Sequence, residues 1–137
     1  MIRIIDIVLA LVGLAALSPI IGLVMVVCLF DTGSPLFCQE RVGLNKKPFI
    51  LVKFRTMSKD TASVASHLAS STSITKSGRF LRRTKLDELP QLWTVLKGEM
   101  SLVGPRPGLP NQEVLTEVRS RLNVYFVRPG ITGLAQI

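Results

Sequence analysis

Lys85-Leu86-Asp87-Glu88-Leu89-Pro90-Gln91-Leu92 is the stretch on which the reading of the chain turns. Asp87 and Glu88 are adjacent carboxylates that follow a cationic run, Arg79, Arg82, Arg83 and Lys85. Beyond Pro90 the apolar residues Leu92, Trp93, Val95 and Leu96 fall at helical spacing. Proline is tolerated in the first turn of a helix, where its missing N–H removes no bond. The spacing therefore predicts that Asp87 and Glu88 open a helix, beside positive backbone dipole ends and positive side chains. Such a setting favours ionised carboxylates, and it also favours a bound phosphate or metal ion. An acidic cap on a surface helix gives the same pattern, so the pair by itself fixes no function.

Downstream, Gly98 stands where that helix should end, and Met100 to Val103 reads as a short strand. Gly104-Pro105-Arg106-Pro107-Gly108 fits neither a helix nor a central strand, because its prolines lack donors and restrict their neighbours. A rigid loop would fix the direction of the Arg106 guanidinium, which suits bidentate recognition of phosphate or carboxylate; an incidental surface arginine is the plainer alternative. Asn111 to Leu122 reads as an amphipathic helix capped by Asn111, with Val114, Leu115, Val118 and Leu122 on its apolar side. Arg128-Pro129-Gly130 and Thr132-Gly133 are turn-forming.

Upstream, Gly78 to Thr84 reads as a short basic helical turn. Ser58 to Ser77 is rich in Ser, Thr and Ala and reads as a mobile loop with one short helix around Ala62 to Ala69. The lone histidine, His67, falls in that loop and reads as an exposed residue rather than a base. Pro48 to Met57 is β-branched and aromatic and holds a strand, with Lys53 and Arg55 on one face and Phe54 on the other. That pair could hold an anion, or could be two solvated cations. Leu36 to Arg41 reads as extended, Val42 to Asn45 as a turn, and Asp31 to Pro35 as a linker.

From Ile7 to Phe30 there is no charged residue over 24 positions. A helix of that length is about 36 Å long, enough for a bilayer core of about 30 Å. Ser18-Pro19 stands near its middle. Pro19 removes a backbone bond, and Ser18 can supply a local partner for the carbonyl it frees. Both a kinked spanning helix and a helix that bends and leaves on its own side fit these residues. Sixteen of the 17 Lys and Arg and eight of the nine acids lie after the run, and the chain carries a formal +8. A basic domain on an apolar segment points to anionic membrane or anionic substrates rather than nucleic acid. Arg41, Lys46 and Lys47 beyond the run agree with a cytoplasmic C-terminal side. Cys28 and Cys38 form no metal-binding spacing, so structural zinc is not expected.

Leu86 to Leu92, followed by Lys97-Gly98-Glu99-Met100-Ser101-Leu102-Val103-Gly104-Pro105-Arg106-Pro107, closely resembles the bacterial sugar transferases. These are the monotopic phosphoglycosyl transferases that start glycan assembly on a polyprenol carrier. The resemblance continues in Lys53-Phe54-Arg55-Thr56-Met57 and in Arg128-Pro129-Gly130-Ile131-Thr132-Gly133-Leu134-Ala135-Gln136, and so covers nearly the whole chain in order. It implies an α+β protein: a re-entrant membrane helix broken at Ser18 and Pro19 (residues 1–31), joined to a small mixed α/β cytoplasmic catalytic domain (residues 32–137). It implies transfer of a sugar 1-phosphate from a UDP-sugar to polyprenyl (undecaprenyl) phosphate at the bacterial inner membrane, in exopolysaccharide, lipopolysaccharide or related synthesis. Asp87 would be the nucleophile and would share Mg2+ with Glu88. Arg82 and Arg106 would contact phosphate, with Lys53 and Arg55 as supporting cations. Arg128, Gly130, Thr132 and Gln136 would form the nucleotide side. Family members continue past Gly-Leu-Ala-Gln, so the resemblance predicts a domain incomplete at its C-terminal side. A non-catalytic membrane-associated remnant, an anionic-lipid-binding protein and a homo-oligomer all stay open on sequence.

Overall fold

In the computed structural model, residues 1–58 and 73–133 are described. The first element is helix α1 (Ile2–Thr32), 31 residues long and closed by Gly33 in the left-handed region at φ 70°. Among the described residues it is the one helix long and apolar enough to cross a membrane, by length and composition. The expected break at Ser18-Pro19 is absent from its secondary structure, because helical geometry continues through Pro19. The reason is local: the Ser18 hydroxyl donates to the Ala15 carbonyl at 2.9 Å, the acceptor that Pro19 cannot serve.

One stripe of α1, spaced by threes and fours, faces the rest of the chain. Asp6, Ala10, Val24 and Cys28 are buried in it. The other face is left bare: only 11% of the most apolar 18-residue window is buried. Two polar residues anchor the N-terminal end. Arg3 donates to the Val95 and Leu96 carbonyls at 2.6 and 2.9 Å. The buried Asp6 carboxylate accepts from the Ser101 hydroxyl at 2.8 Å and from the Leu102 N–H at 3.1 Å.

Strands β1 (Leu36–Val42) and β2 (Pro48–Phe54) form an antiparallel hairpin in which Phe37 faces Lys53 and Arg41 faces Phe49. Helix α2 (Lys76–Thr84) follows, with the Thr75 side chain accepting from the Gly78 N–H. Lys85, at φ 60°, ends α2 in the left-handed region, and a 3-10 turn, Leu86–Glu88, leads into helix α3 (Gln91–Lys97). Pro90 sits at the cap of α3 with helical angles, so Asp87 and Glu88 fall in the 3-10 turn before the helix and do not open it as expected; Gly98 closes α3 at φ 91°, as the spacing predicts.

Strand β3 (Ser101–Val103) pairs in parallel with β4 (Gly130–Thr132), so the segment expected to be all turn contains a strand. The pairing needs glycine. A Cβ on Gly130 would lie 2.0 Å from the Gly104 nitrogen, and one on Gly104 would lie 2.5 Å from the Arg128 carbonyl. Helix α4 (Glu113–Arg121) is capped by Gln112, not Asn111, and the Gln112 side chain accepts from the Leu109 N–H. No residue of α4 is buried, and Val114, Val118 and Leu122 are exposed, because nothing among the described residues covers its apolar side. The residues expected to form a short helix at Ala62 to Ala69, with His67, lie outside the described residues.

Two apolar clusters join these elements. Ala10, Phe49, Leu51, Val95 and Met100 form one. Val24, Cys28, Phe54 and Leu81 form the other, with Leu86 and Leu89 packed on it. Each fully buried aliphatic side chain contributes about 1.5–3 kcal/mol. Both halves of α1 thus pack on the same body, and the Asp87-Glu88 turn rests on the C-terminal half.

Candidate active site

The 3-10 turn points its two carboxylates to different surroundings. Glu88 pairs with Lys53, Oε1 to Nζ at 2.8 Å, and both side chains are largely buried. Asp87 is 8% exposed, and its Oδ1 has no hydrogen-bond partner. Burial raises its pKa above the usual carboxylate value, and Glu88 adds to the rise. Lys53, Arg82 and a backbone hydrogen bond pull the other way without cancelling it. The cations that the sequence places beside Asp87 lower its pKa, but loss of water raises it by more, so the net shift is upward.

Arg82 is held beside Asp87 by a bond from its Nε to the Thr56 hydroxyl at 2.8 Å. Lys53 serves the site through Glu88. Arg55, one residue past β2, donates to the Leu36 carbonyl and lies 5.7 Å from the centre of the Phe37 ring. Since Phe37 is the cross-strand partner of Lys53, Arg55 covers the same side of the hairpin but does not enter the cleft.

A small open cleft lies beside Glu88 of this turn, and neither Asp87 nor Arg82 is among its lining residues. Arg41, Lys53, Glu88, Gln91, Arg106 and Gly130 are among its lining residues. Arg106 is exposed within the Gly-Pro loop. Of the residues expected on a nucleotide side, Gly130 reaches the cleft. Arg128 instead donates from Nε to the Gly98 carbonyl at 2.7 Å, and Thr132 is exposed on β4 outside the lining. Gln136 lies outside the described residues.

Two lining residues were not singled out by sequence. Arg41 read as a cation beyond the apolar run, and only its position on the inner face of β1 brings it here. Gln91 is three residues from Glu88, a spacing that puts both on one helical face and could have marked it. Asp6 and Arg3 were also passed over, since polar residues before an apolar run read as flanks.

Magnesium is usually held by one or two carboxylates together with substrate phosphates and water. Asp87, with an unpartnered buried oxygen, and Glu88 beside it match that donor set. Among the described residues no group of three or more His, Cys, Asp or Glu gathers, so a cage made wholly by protein is not formed there.

The described residues thus form a mixed helix-and-strand body with one long apolar helix and a cleft lined by Arg41, Lys53, Arg106 and Glu88. The chain belongs to the bacterial sugar transferase family, whose pattern matches residues 1–137. It is 45% identical to the uncharacterized sugar transferase EpsL of Bacillus subtilis, over 98% of this chain and 67% of the relative. It is 42% identical to the undecaprenyl-phosphate glucose phosphotransferase of Komagataeibacter xylinus, over 98% of this chain and 27% of that protein. It is 41% identical to the UDP-glucose:undecaprenyl-phosphate glucose-1-phosphate transferase of Escherichia coli, over 96% of this chain and 30% of the relative. The chain thus spans about two thirds of the first relative and under a third of the other two.

Proposed function

We propose that the protein moves a sugar 1-phosphate from a UDP-sugar to polyprenyl phosphate, giving polyprenyl diphosphate sugar and UMP. The observation that carries this reading is Asp87, a buried carboxylate with an unpartnered oxygen, flanked by Lys53, Arg82 and Glu88. The names of the relatives support the substrate classes. An Asp87 oxygen attacks the phosphorus that bears the sugar, and the bond from that phosphorus to the bridging oxygen breaks. UMP leaves with that oxygen and its electron pair. A phosphate oxygen of the polyprenyl carrier then attacks the same phosphorus, and the aspartyl oxygen departs as a carboxylate. Burial strips water from the nucleophile, and Lys53 and Arg82 answer charge on the transferred group. Magnesium, when bound by Glu88 and Asp87 with the phosphates, would neutralise phosphate charge.

Residues 1–31 serve as the membrane element and residues 32–137 as the catalytic domain on the cytoplasmic side. The packing of both α1 halves on one body supports both ends of the helix lying on one side of the membrane. A spanning placement would draw Arg3 and Asp6 away from α3 and β3, stranding two charged groups. Accessibility labelling of Ile2→Cys in a Cys38→Ser background, compared with the native exposed Cys38, reads the topology. Labelling from the same side is expected, and labelling from opposite sides would refute re-entry. For the reaction, the full chain in lipid with UDP-sugar and polyprenyl phosphate should release UMP. Release that persists in Asp87→Asn would remove Asp87 from the chemistry.

A further inference from the structure

Arg41 projects from the inner face of β1 into the cleft, where Arg106 is its neighbour. Its Nη1 donates to the Pro107 carbonyl at 3.2 Å and its Nη2 to Gln39 Oε1 at 2.6 Å. Its Nε is buried and has no partner. Arg41 takes part in none of the ion pairs formed among the described residues. Burial first, and Arg106 second, lower its pKa to about 10. On the facing side, Gln91 is 3% exposed and its Nε2 also lacks a partner. A buried donor left unmade costs about 1–3 kcal/mol, and two guanidinium groups in one cleft repel. Glu88 pairs with Lys53 and forms no ion pair with either arginine.

We infer that Arg41 and Gln91, beside the already expected phosphate contact Arg106, complete a phosphate subsite that holds a phosphoryl group of the substrate while Asp87 reacts with phosphorus. The inference rests on the transfer reaction proposed above. A phosphoryl group offers several acceptor oxygens, so one group can accept from the Arg41 Nε, the Arg106 fork and the Gln91 amide together. It also brings the negative charge that the arginine pair lacks. Two sources share this chemistry: the diphosphate of the nucleotide sugar and the phosphate of the polyprenyl carrier.

The test is equilibrium binding to the full chain in lipid, with UDP and farnesyl phosphate as separate probes. The wild type is compared with Arg41→Gln and Arg41→Lys, and each variant is checked by thermal melting. Arg41→Gln should weaken one probe about tenfold or more, about 1.4 kcal/mol, at a melting temperature near wild type. The weakened probe names the source. Arg41→Lys keeps the charge and can still reach the Pro107 carbonyl, but lacks the Nε and the planar fork, so it should restore only part of the affinity. Should Arg41→Gln fail to fold, Arg41→Lys carries the test, with weakened binding expected. Unchanged binding of both probes in a folded variant would overturn the subsite, as would a wild type that binds neither. Turnover plays no part in this readout. A protein that binds normally but never transfers sugar phosphate would contradict the reaction and leave the subsite standing.

Discussion

On the helical side of the site, Glu88 has its cation in Lys53 at 2.8 Å, and behind it, outside the cleft lining, Arg82 is tied to Thr56 at the same distance. On the glycine-proline wall, Arg106 is exposed, and Arg41 across from it has no carboxylate. One wall is largely satisfied within the protein, save for a single oxygen of Asp87 and the Gln91 amide. The other holds positive charge that no ion pair among the described residues compensates, next to the close crossing of Gly104 and Gly130. Under the proposed reaction, bond making would fall to the helical wall and anion holding to the Gly-Pro wall.

Replacing Asp87 by Asn breaks the helical wall at its centre and carries the largest expected effect. Turnover should fall by at least about 10³-fold while UDP still binds. The same change should raise the melting temperature at neutral pH. Because burial lifts the folded pKa above the unfolded value, ionised Asp87 destabilises the native state. That cost is absent below the unfolded pKa, grows as pH rises towards the folded pKa, and is complete above it. The gain in Asp87→Asn should therefore vanish in acid, and wild-type turnover should fade on acidification at a higher pH than an ordinary Asp would give. A melting series across pH, beside a pH–rate profile, checks both signs.

Gly130→Ala attacks the other wall. The new methyl would sit 2.0 Å from the Gly104 nitrogen, so β4 must leave β3. A loss of about 3 kcal/mol or more is expected in denaturant unfolding, with substrate binding lost alongside. Asp6→Ala asks whether the helical wall depends on α1. It leaves the Ser101 hydroxyl and the Leu102 N–H without their acceptor and should cost about 2 kcal/mol, with faster hydrogen exchange at Leu102. Arg106→Lys is the mildest change. It keeps the charge but loses the planar fork carried on the backbone between Pro105 and Pro107, and kcat/KM should fall about tenfold, or about 1.4 kcal/mol. Wild-type kinetics for this variant would show that the Gly-Pro wall supplies charge alone.

Local signals in the sequence carried far. The Pro90 start and Gly98 stop of α3, the β1–β2 hairpin and the basic α2 are each written in neighbouring residues. What escaped depends on residues far apart. Gly104 and Gly130 read as turns because glycine marks turns, whereas here each makes room for the other backbone. The ionisation of Asp87 could not be read from adjacent cations, since burial is set by the whole fold. The apolar spacing of α4 gave its helix but not its exposure, for periodicity describes a face and not its cover. Asp6 and Arg41 have no local signature, and each acquires its role only when β3 or the Gly-Pro loop arrives beside it.

Asp87 as a covalent nucleophile can be tested by leaving out the second substrate. The protein in lipid is mixed with sugar-labelled UDP-sugar and magnesium, without polyprenyl phosphate, and protein-bound label is followed on the time scale of one turnover. The two-step route predicts label on Asp87, its release when polyprenyl phosphate is added, and none in Asp87→Asn. An active wild type that never carries label would contradict it and favour direct transfer between the two substrates.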